Sequence, residues 1–203
     1  MFYSEFWHSK RMEDSPSYPS FGDQGQEYGK ILYNEVSGTH HKVITMSTTL
    51  PQGIFVGYRG FEVRNLVPLF PFGFGLSYTK FEYSGIEASA ISPEGKFTVS
   101  FDVKNIGDVE GREVAQIYVT DLVSSLPRPA KELKGFVKVN LNPGEIKRVE
   151  HTLDRDALSF YDDRGAHWIA EAGKFSVLVG ASSVDIRLTK EVELAQEIAW
   201  TGL

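Results

Sequence analysis

The stretch KFTVSFDVKNIGDVEGREVAQIYVTD, residues 96–121, alternates apolar and polar side chains on both sides of a glycine-containing loop. Successive side chains of a β-strand point to opposite faces, so this period of two is typical of strands with one buried face. In the first half the residues on one face are Phe97, Val99, Phe101 and Val103. In the second half Ala115, Ile117 and Val119 lie opposite Val114, Gln116, Tyr118 and Thr120. The stretch predicts two strands joined by the loop 105–111.

The chain after residue 121 continues as short strands at regular spacing. We predict strands over 135–141, 146–154, 167–173, 174–183 and 185–194, with 167–173 and 174–183 as an antiparallel pair. Prolines hold open the connection 122–133, NPGE at 142–145 is a tight turn, 155–163 contains a short helical turn, and the residues from 195 form a tail. Seven or eight such strands predict a mainly β fold, a two-sheet sandwich of immunoglobulin or fibronectin type III architecture.

The segment before these strands, GYRGFEVRNLVPLFPFGFGLSYTKFEY (57–83), is dense in aromatic residues and glycines. Within it, Phe70, Phe72 and Phe74 alternate with Pro71, Gly73 and Gly75. The residues 53–61 predict a strand, and 76–89 predict the next one. A segment of this kind is either a sticky linker or a seam where one domain lies against another, and we favour the seam.

The N-terminal quarter has no clear pattern. Residues 1–35 are polar and rich in turn formers, and 36–52 are rich in Thr and Ser with the pair His40–His41. Adjacent side chains of an extended chain point to opposite faces, and no carboxylate or third histidine is close, so a solvated loop is favoured over a metal site.

The net charge and the amino-acid composition argue against several classes of function. A net charge of −6 without any basic run argues against a nucleic-acid or anionic-membrane binder. The absence of cysteine excludes disulfides and thiolate chemistry, and it favours a cytoplasmic location only slightly. No apolar run approaches the roughly 20 residues of a membrane span.

Several motifs in order resemble glycoside hydrolase family 3, the β-glucosidase family. GIFVGYRGF (53–61) and PLFPFGFGLSYTKFEY (68–83) resemble its junction between the second catalytic domain and a C-terminal fibronectin type III-like domain. EVAQIYVTD, PRPAKELKGFVKV, LNPGE, LDRDALSFYD and GKFSVLVGASS then follow in that domain's order. KRMEDSPSYPSF (10–21) resembles the segment before the junction, so the similarity covers 10–35 and 53 to about 188.

This resemblance implies a C-terminal fragment with two parts. Residues 1–78 would be an irregular remnant of the α/β second catalytic domain with the seam, and 79–203 the fibronectin-like domain. Residues 36–52 have no counterpart, and Val36-Ser37 and Gln52 can be encoded by the sequences that begin and end introns. We therefore expect a retained intron here, with a genuine surface-loop insertion as the alternative.

The resemblance implies a whole enzyme that hydrolyses terminal β-D-glucosyl residues of a β-glucoside or oligosaccharide without a cofactor. The family's nucleophile is an aspartate in an N-terminal barrel, and its usual glutamate acid/base lies upstream of the junction. No Ser-Asp-Trp motif occurs here, so we expect no catalytic, cofactor-binding or metal residue in this chain and no activity alone. The missing catalytic domains would cover Phe70, Phe72 and Phe74.

Other candidate residues have structural interpretations that we favour. For the carboxylates of 154–163 we expect a structural role, with Asp154 capping the turn that follows it, because the spacing is not that of a calcium loop. For Arg59 and Glu62 we expect an ion pair at the seam rather than a sugar contact, and for Gly73–Gly75 a tight turn rather than a phosphate loop. Aromatic faces can stack on sugars, and the candidates are Tyr161, Trp168 and Trp200. The alternative function is therefore a stand-alone carbohydrate-binding or protein-interaction sandwich, whose mark would be an exposed aromatic platform on one sheet face.

Overall fold

A computed structural model of the protein describes residues 53–202 and, before them, the backbone of two short strands. These strands, β1 (Leu32–Tyr33) and β2 (Ile44–Thr45), pair antiparallel. The chain divides into two compact units, 1–56 and 57–203. The pair His40–His41 and most of the segment 36–52 lie outside the described residues, so the expectations for them stay predictions.

The second unit contains ten antiparallel strands in three sheets. They are β3 (Phe81–Ala88), β4 (Phe97–Asn105), β5 (Gly111–Asp121), β6 (Glu132–Leu141), β7 (Ile146–Leu153), β8 (Phe160–Asp162), β9 (His167–Ala170), β10 (Gly173–Gly180), β11 (Ile186–Leu194) and β12 (Ile198–Trp200). The strand orders are β11-β10-β5-β6, β3-β4-β7 and β12-β9-β8. The predicted mainly β sandwich is confirmed, with the four-stranded sheet and the sheet β3-β4-β7 as its two layers.

The core lies between these two layers and follows the alternation read from residues 96–121. On β4 every second side chain is buried, from Phe97 to Val103, and on β5 Ala115, Ile117 and Val119 are equally buried. Branched and aromatic side chains at these positions fit a pleated, half-buried surface. Their burial is the main term that stabilises the sandwich.

The strand predicted over 53–61 is wrong. An α-helix, α1 (Tyr58–Val63), lies there and begins after Gly57, whose φ is +59°. The carbonyl of Gly57 accepts from the N–H groups of Gly60 and Phe61, which closes the first turn. The first strand of the sandwich begins at Phe81 rather than at residue 76, because the preceding residues lie along the sandwich surface instead of pairing with a neighbour.

The predicted pairing of 167–173 with 174–183 is also wrong. Strand β9 pairs with β8 and β12, whereas β10 pairs with β5 and β11. The side chains of β10 are buried on both faces at Phe175 and Ser176, so this strand takes a central place between two long strands. The predicted tail contains β12, since Trp200 pairs in register with Trp168.

The helical turn predicted within 155–163 is confirmed as a 3-10 helix, Arg155–Ala157. Asp154 precedes it, and its carboxylate accepts from the N–H of Asp156 at 3.1 Å. The predicted capping role of Asp154 is therefore confirmed.

Candidate functional site

The segment 57–80, which we call the strap, packs on the outer face of the four-stranded sheet. Tyr118 points away from the core residues Ile117 and Val119, yet its exposed fraction is 0%. The ring of Tyr58 covers it edge-on at 5.9 Å between centroids, and the N–H of Leu133 donates to the Tyr58 hydroxyl at 2.8 Å. The strap is thus a third layer, and β5 is buried on both faces.

Charged groups fix the helix of the strap to the start of β6. Arg59 pairs with Glu132 at 3.0 Å, and Glu62 pairs with Lys131. Both residues form ion pairs, as expected from the sequence, but with the sandwich rather than with each other. Burial tends to raise the pKa of Glu132, but Arg128, Lys134 and Arg59 outweigh it and hold the pKa below its usual range.

The residues Pro71–Phe74 form a turn that lies directly on the sheet. The N–H of Phe74 donates to the carbonyl of Pro71 at 2.9 Å, and Gly73 at the third position has φ +84°, as in a type II turn. A Cβ at Gly73 would lie 1.9 Å from Nε2 of Gln116, so only glycine allows this approach. The N–H of Ser183 donates to the carbonyl of Phe72 at 2.8 Å.

The other face of the strap is apolar and exposed. Phe70, Phe72 and Phe74 have exposed fractions of 67%, 50% and 49%, and the rings of Phe70 and Phe74 contact each other at 5.5 Å. Further exposed apolar residues of the strap include Val67, Leu69, Leu76 and Tyr78. The exposed apolar surface predicted along 70–74 is confirmed. Contiguous surfaces of this kind mark interaction sites.

The three sugar-stacking candidates lie in one row of the small sheet, because Tyr161, Trp168 and Trp200 are register partners. Their rings contact one another: Tyr161 meets Trp168 edge-on at 5.4 Å, and Trp168 stacks on Trp200 at 6.4 Å. The guanidinium of Arg155 lies 4.2 Å from the centre of the Trp200 ring. These contacts occupy part of the three rings, and Tyr161 remains 49% exposed.

Two of the acidic candidates of 154–163, Asp154 and Asp162, accept hydrogen bonds from nearby backbone N–H groups. The carboxylate of Asp162 accepts from the N–H groups of Arg164 and Gly165 at 3.1 and 3.2 Å, in the manner of a turn residue. Within residues 53–202 no group of three His, Asp or Glu side chains could hold a metal ion. In the same range, no helix is long and apolar enough to span a bilayer.

The importance of two residues of this site was not predicted from the sequence. From the sequence, Gln116 and Tyr118 lie on the strand face opposite Ala115, Ile117 and Val119, and no role was predicted for them. The Tyr118 hydroxyl donates to Oε1 of Gln116, whose Nε2 donates to the carbonyl of Ala181 at 3.1 Å. The available signal was a tyrosine between Ile117 and Val119, on the opposite face of the same strand.

Comparison with known proteins agrees with this architecture. The family model described as fibronectin type III-like domain matches residues 113–183. The thermostable β-glucosidase B of Acetivibrio thermocellus is 50% identical over 145 residues, which are 70% of this chain and 19% of that protein. A probable β-glucosidase K of Emericella nidulans is 39% identical over 196 residues, 96% of this chain and 20% of that protein.

The crystal structure of the Kluyveromyces marxianus β-glucosidase in complex with glucose superposes with a TM-score of 0.72 at 46% identity, over 75% of this chain and 18% of that one. The chain thus spans about a fifth of the length of the curated relatives it matches. These similarities show that the chain contains a fibronectin type III-like domain and is homologous to the C-terminal region of β-glucosidases of glycoside hydrolase family 3.

Proposed function

We propose that this chain is the fibronectin-like part of a β-glucosidase and that its strap joins the sandwich to the catalytic part. The whole enzyme would hydrolyse terminal β-D-glucosyl residues of β-glucosides, as the names of its relatives suggest. The proposal includes the predicted division of the chain at residues 78 and 79, with 1–78 derived from the second catalytic domain. It also includes the retained intron over 36–52, which a spliced transcript lacking these codons would test.

The observation that carries the proposal is the two-sided strap. Its inner side is held by the ion pairs of α1 and by Gly73, whereas its outer side presents three phenylalanines to solvent. An apolar face on an anchored segment is suited to a permanent neighbour. About four fifths of the length of the relatives lies outside the matched region. In our proposal that part is the neighbour of the strap.

A chimera tests the proposal. Residues 53–202 would replace the matching region of the Kluyveromyces marxianus β-glucosidase, and hydrolysis of an aryl β-glucoside would be followed. We expect an active chimera, and no turnover above background from the 203-residue chain alone, because it lacks the family's nucleophile motif. Changing Phe70, Phe72 and Phe74 together to Ser should shorten the half-life of chimera activity at elevated temperature by an order of magnitude, about 1.4 kcal/mol in barrier height.

Phe136→Ser is the matched control, since Phe136 is 64% exposed but lies on β6 outside the strap. If the triple variant and the control shorten the half-life of chimera activity equally, a docking role for the strap is contradicted. The isolated chain could also hydrolyse the aryl β-glucoside at a rate that scales with its purity and concentration. That result would contradict the proposal that catalysis resides outside this chain.

A further inference from the structure

A small polar pocket lies where the start of β6, the end of β7 and the 3-10 helix come together. Its volume is about 240 Å³. The charged residues that line it are Lys134, Asp154 and Asp156, and its buried apolar residues are Leu153 and Ala157. We call it the lysine pocket. At roughly 30 Å³ per water molecule it has room for about eight waters, or for one ligand of monosaccharide size.

The ammonium of Lys134 makes fewer hydrogen bonds than it can. Its side chain is 17% exposed, and Nζ donates to the carbonyl of Asp156 at 3.2 Å. The carboxylate of Glu132 lies 3.7 Å away, too far for a good hydrogen bond. An ammonium has three N–H donors, so two of them lack a protein acceptor in the part of the chain that the structure describes. Burial lowers the pKa of Lys134, Glu132 raises it in part, and the charges of Arg128 and Arg59 lower it further.

Two carboxylates that line the same pocket supply acceptors. Oδ1 of Asp154 accepts from the N–H of Asp156 at 3.1 Å, which leaves Oδ2 without a donor among the described residues. The three charged groups sum to −1, which disfavours an anionic ligand, and the ammonium disfavours a metal ion. Unused donors beside unused acceptors match hydroxyl groups, because each hydroxyl both donates and accepts.

We propose that the lysine pocket binds one neutral hexose in its ring form. Lys134 donates to two hydroxyl oxygens of the sugar, and Asp154 and Asp156 accept from its hydroxyl protons. Hydrogen bonds with one charged partner are stronger than those between neutral groups. A ring is favoured over an open-chain polyol because its hydroxyl groups are already held in place. The pocket is open and polar, so binding is weak, with a dissociation constant in the millimolar range. The inference does not depend on the proposed function.

A nuclear magnetic resonance titration of the isotope-labelled 203-residue chain with D-glucose tests the proposal. We expect saturable shifts confined to the backbone amides of 133–135 and 152–157. Lys134→Met keeps the aliphatic stem and removes all three donors, so the dissociation constant should rise about tenfold or more. Lys138→Met is the matched control, because Lys138 is an exposed lysine of β6 outside the pocket. It should leave the dissociation constant unchanged.

Asp156→Ala is a second variant, which keeps the test decisive if Lys134→Met fails to fold. The contacts of Asp156 with other described residues are made by its backbone N–H and carbonyl, so removal of its carboxylate should leave the turn intact. We expect the dissociation constant for D-glucose to rise about fivefold or more.

Three outcomes would overturn the inference. The first is an absence of saturable shifts in the unmodified chain. The second is saturable binding that Asp156→Ala leaves unchanged or that Lys138→Met weakens as much as Lys134→Met. The third is saturable shifts at Tyr161 and Trp168 instead, which would place the sugar on the aromatic row. The titration uses this chain alone, so its failure would leave the chimera test of the proposed function unaffected.

Discussion

Strand β4 and the strap both place an aromatic or aliphatic side chain at every second residue, and they bury them differently. In β4, Phe97 and Phe101 are exposed by at most 2%. In the strap, Phe70, Phe72 and Phe74 have exposed fractions between 49% and 67%. A period of two therefore does not by itself define a strand or a buried face.

The difference comes from the residues between the aromatics. In β4 they are Thr98, Ser100 and Asp102, whose backbone groups pair with β3 and β7 on both sides. In the strap they are Pro71 and Gly73; proline has no N–H to give to a ladder, and the positive φ of Gly73 turns the chain. The backbone of the strap therefore forms a turn instead of a strand ladder, and its phenylalanine rings remain about half exposed or more.

The sharpest test of this contrast is one substitution made in each region. Phe101→Ala should lower the free energy of unfolding by about 3–5 kcal/mol, because it leaves a cavity in the core. Phe70→Ala should cost below about 1 kcal/mol, since most of the ring already faces water. Urea unfolding followed by far-ultraviolet circular dichroism measures both, and comparable costs would show that the strap is part of the core.

A smaller effect is expected where the strap contacts the sheet. Gly73→Ala should destabilise the strap by about 1–3 kcal/mol, through strain at positive φ and contact with Gln116. The amide of Ser183, which donates to Phe72, should then exchange with solvent at least tenfold faster. Gly75→Ala is the control, because a Cβ there meets nothing within 4 Å. Unchanged protection of the Ser183 amide would mean that the turn can shift away from Gln116 and still keep the hydrogen bond between Ser183 and Phe72.

The smallest effect concerns the ion pair of the helix and depends on pH. Arg59→Ala should cost about 0.5–1 kcal/mol at pH 7, because the pair is partly exposed. The pKa of Glu132 is lowered in the folded state, so its contribution is present above the unfolded pKa and is lost as the pH falls through the folded value. Unfolding curves of the two proteins should converge in acid, and a difference that persists or grows below pH 3 would contradict the pairing.

The sequence predicted the sandwich better than the strap, for a physical reason. Within β4 and β5 the alternation, the burial and the neighbouring strands agree, so a local pattern was sufficient. Helix α1 was missed because residues 57–63 resemble a strand in composition. The roles of Tyr58, Arg59 and Glu62 are visible only when the helix packs on Tyr118 and on the start of β6. The pairing of β9 was missed because its partners are supplied by residues 160–162 and 198–200, which have weak patterns of their own.

The resemblance to glycoside hydrolase family 3 rested on motifs and needed no geometry, and the comparisons agree with it. The contacts of Tyr83 with Glu113 and Arg187 could not have been foreseen, since the three residues are far apart in the chain and meet only in the folded sandwich. The exposure of Phe70 to Phe74 was predicted from the interpretation of this segment as a domain seam rather than from any local rule.

The burial of Tyr118 has a consequence for how this module can be transplanted. A segment that began at the first strand, Phe81, would carry the Tyr118 ring and the Gln116 amide into water and leave the N–H of Leu133 without its acceptor. The portable piece therefore starts before Gly57, with the strap included. A recombination crossover upstream of that glycine keeps the outer layer and the strands it covers in one inherited piece.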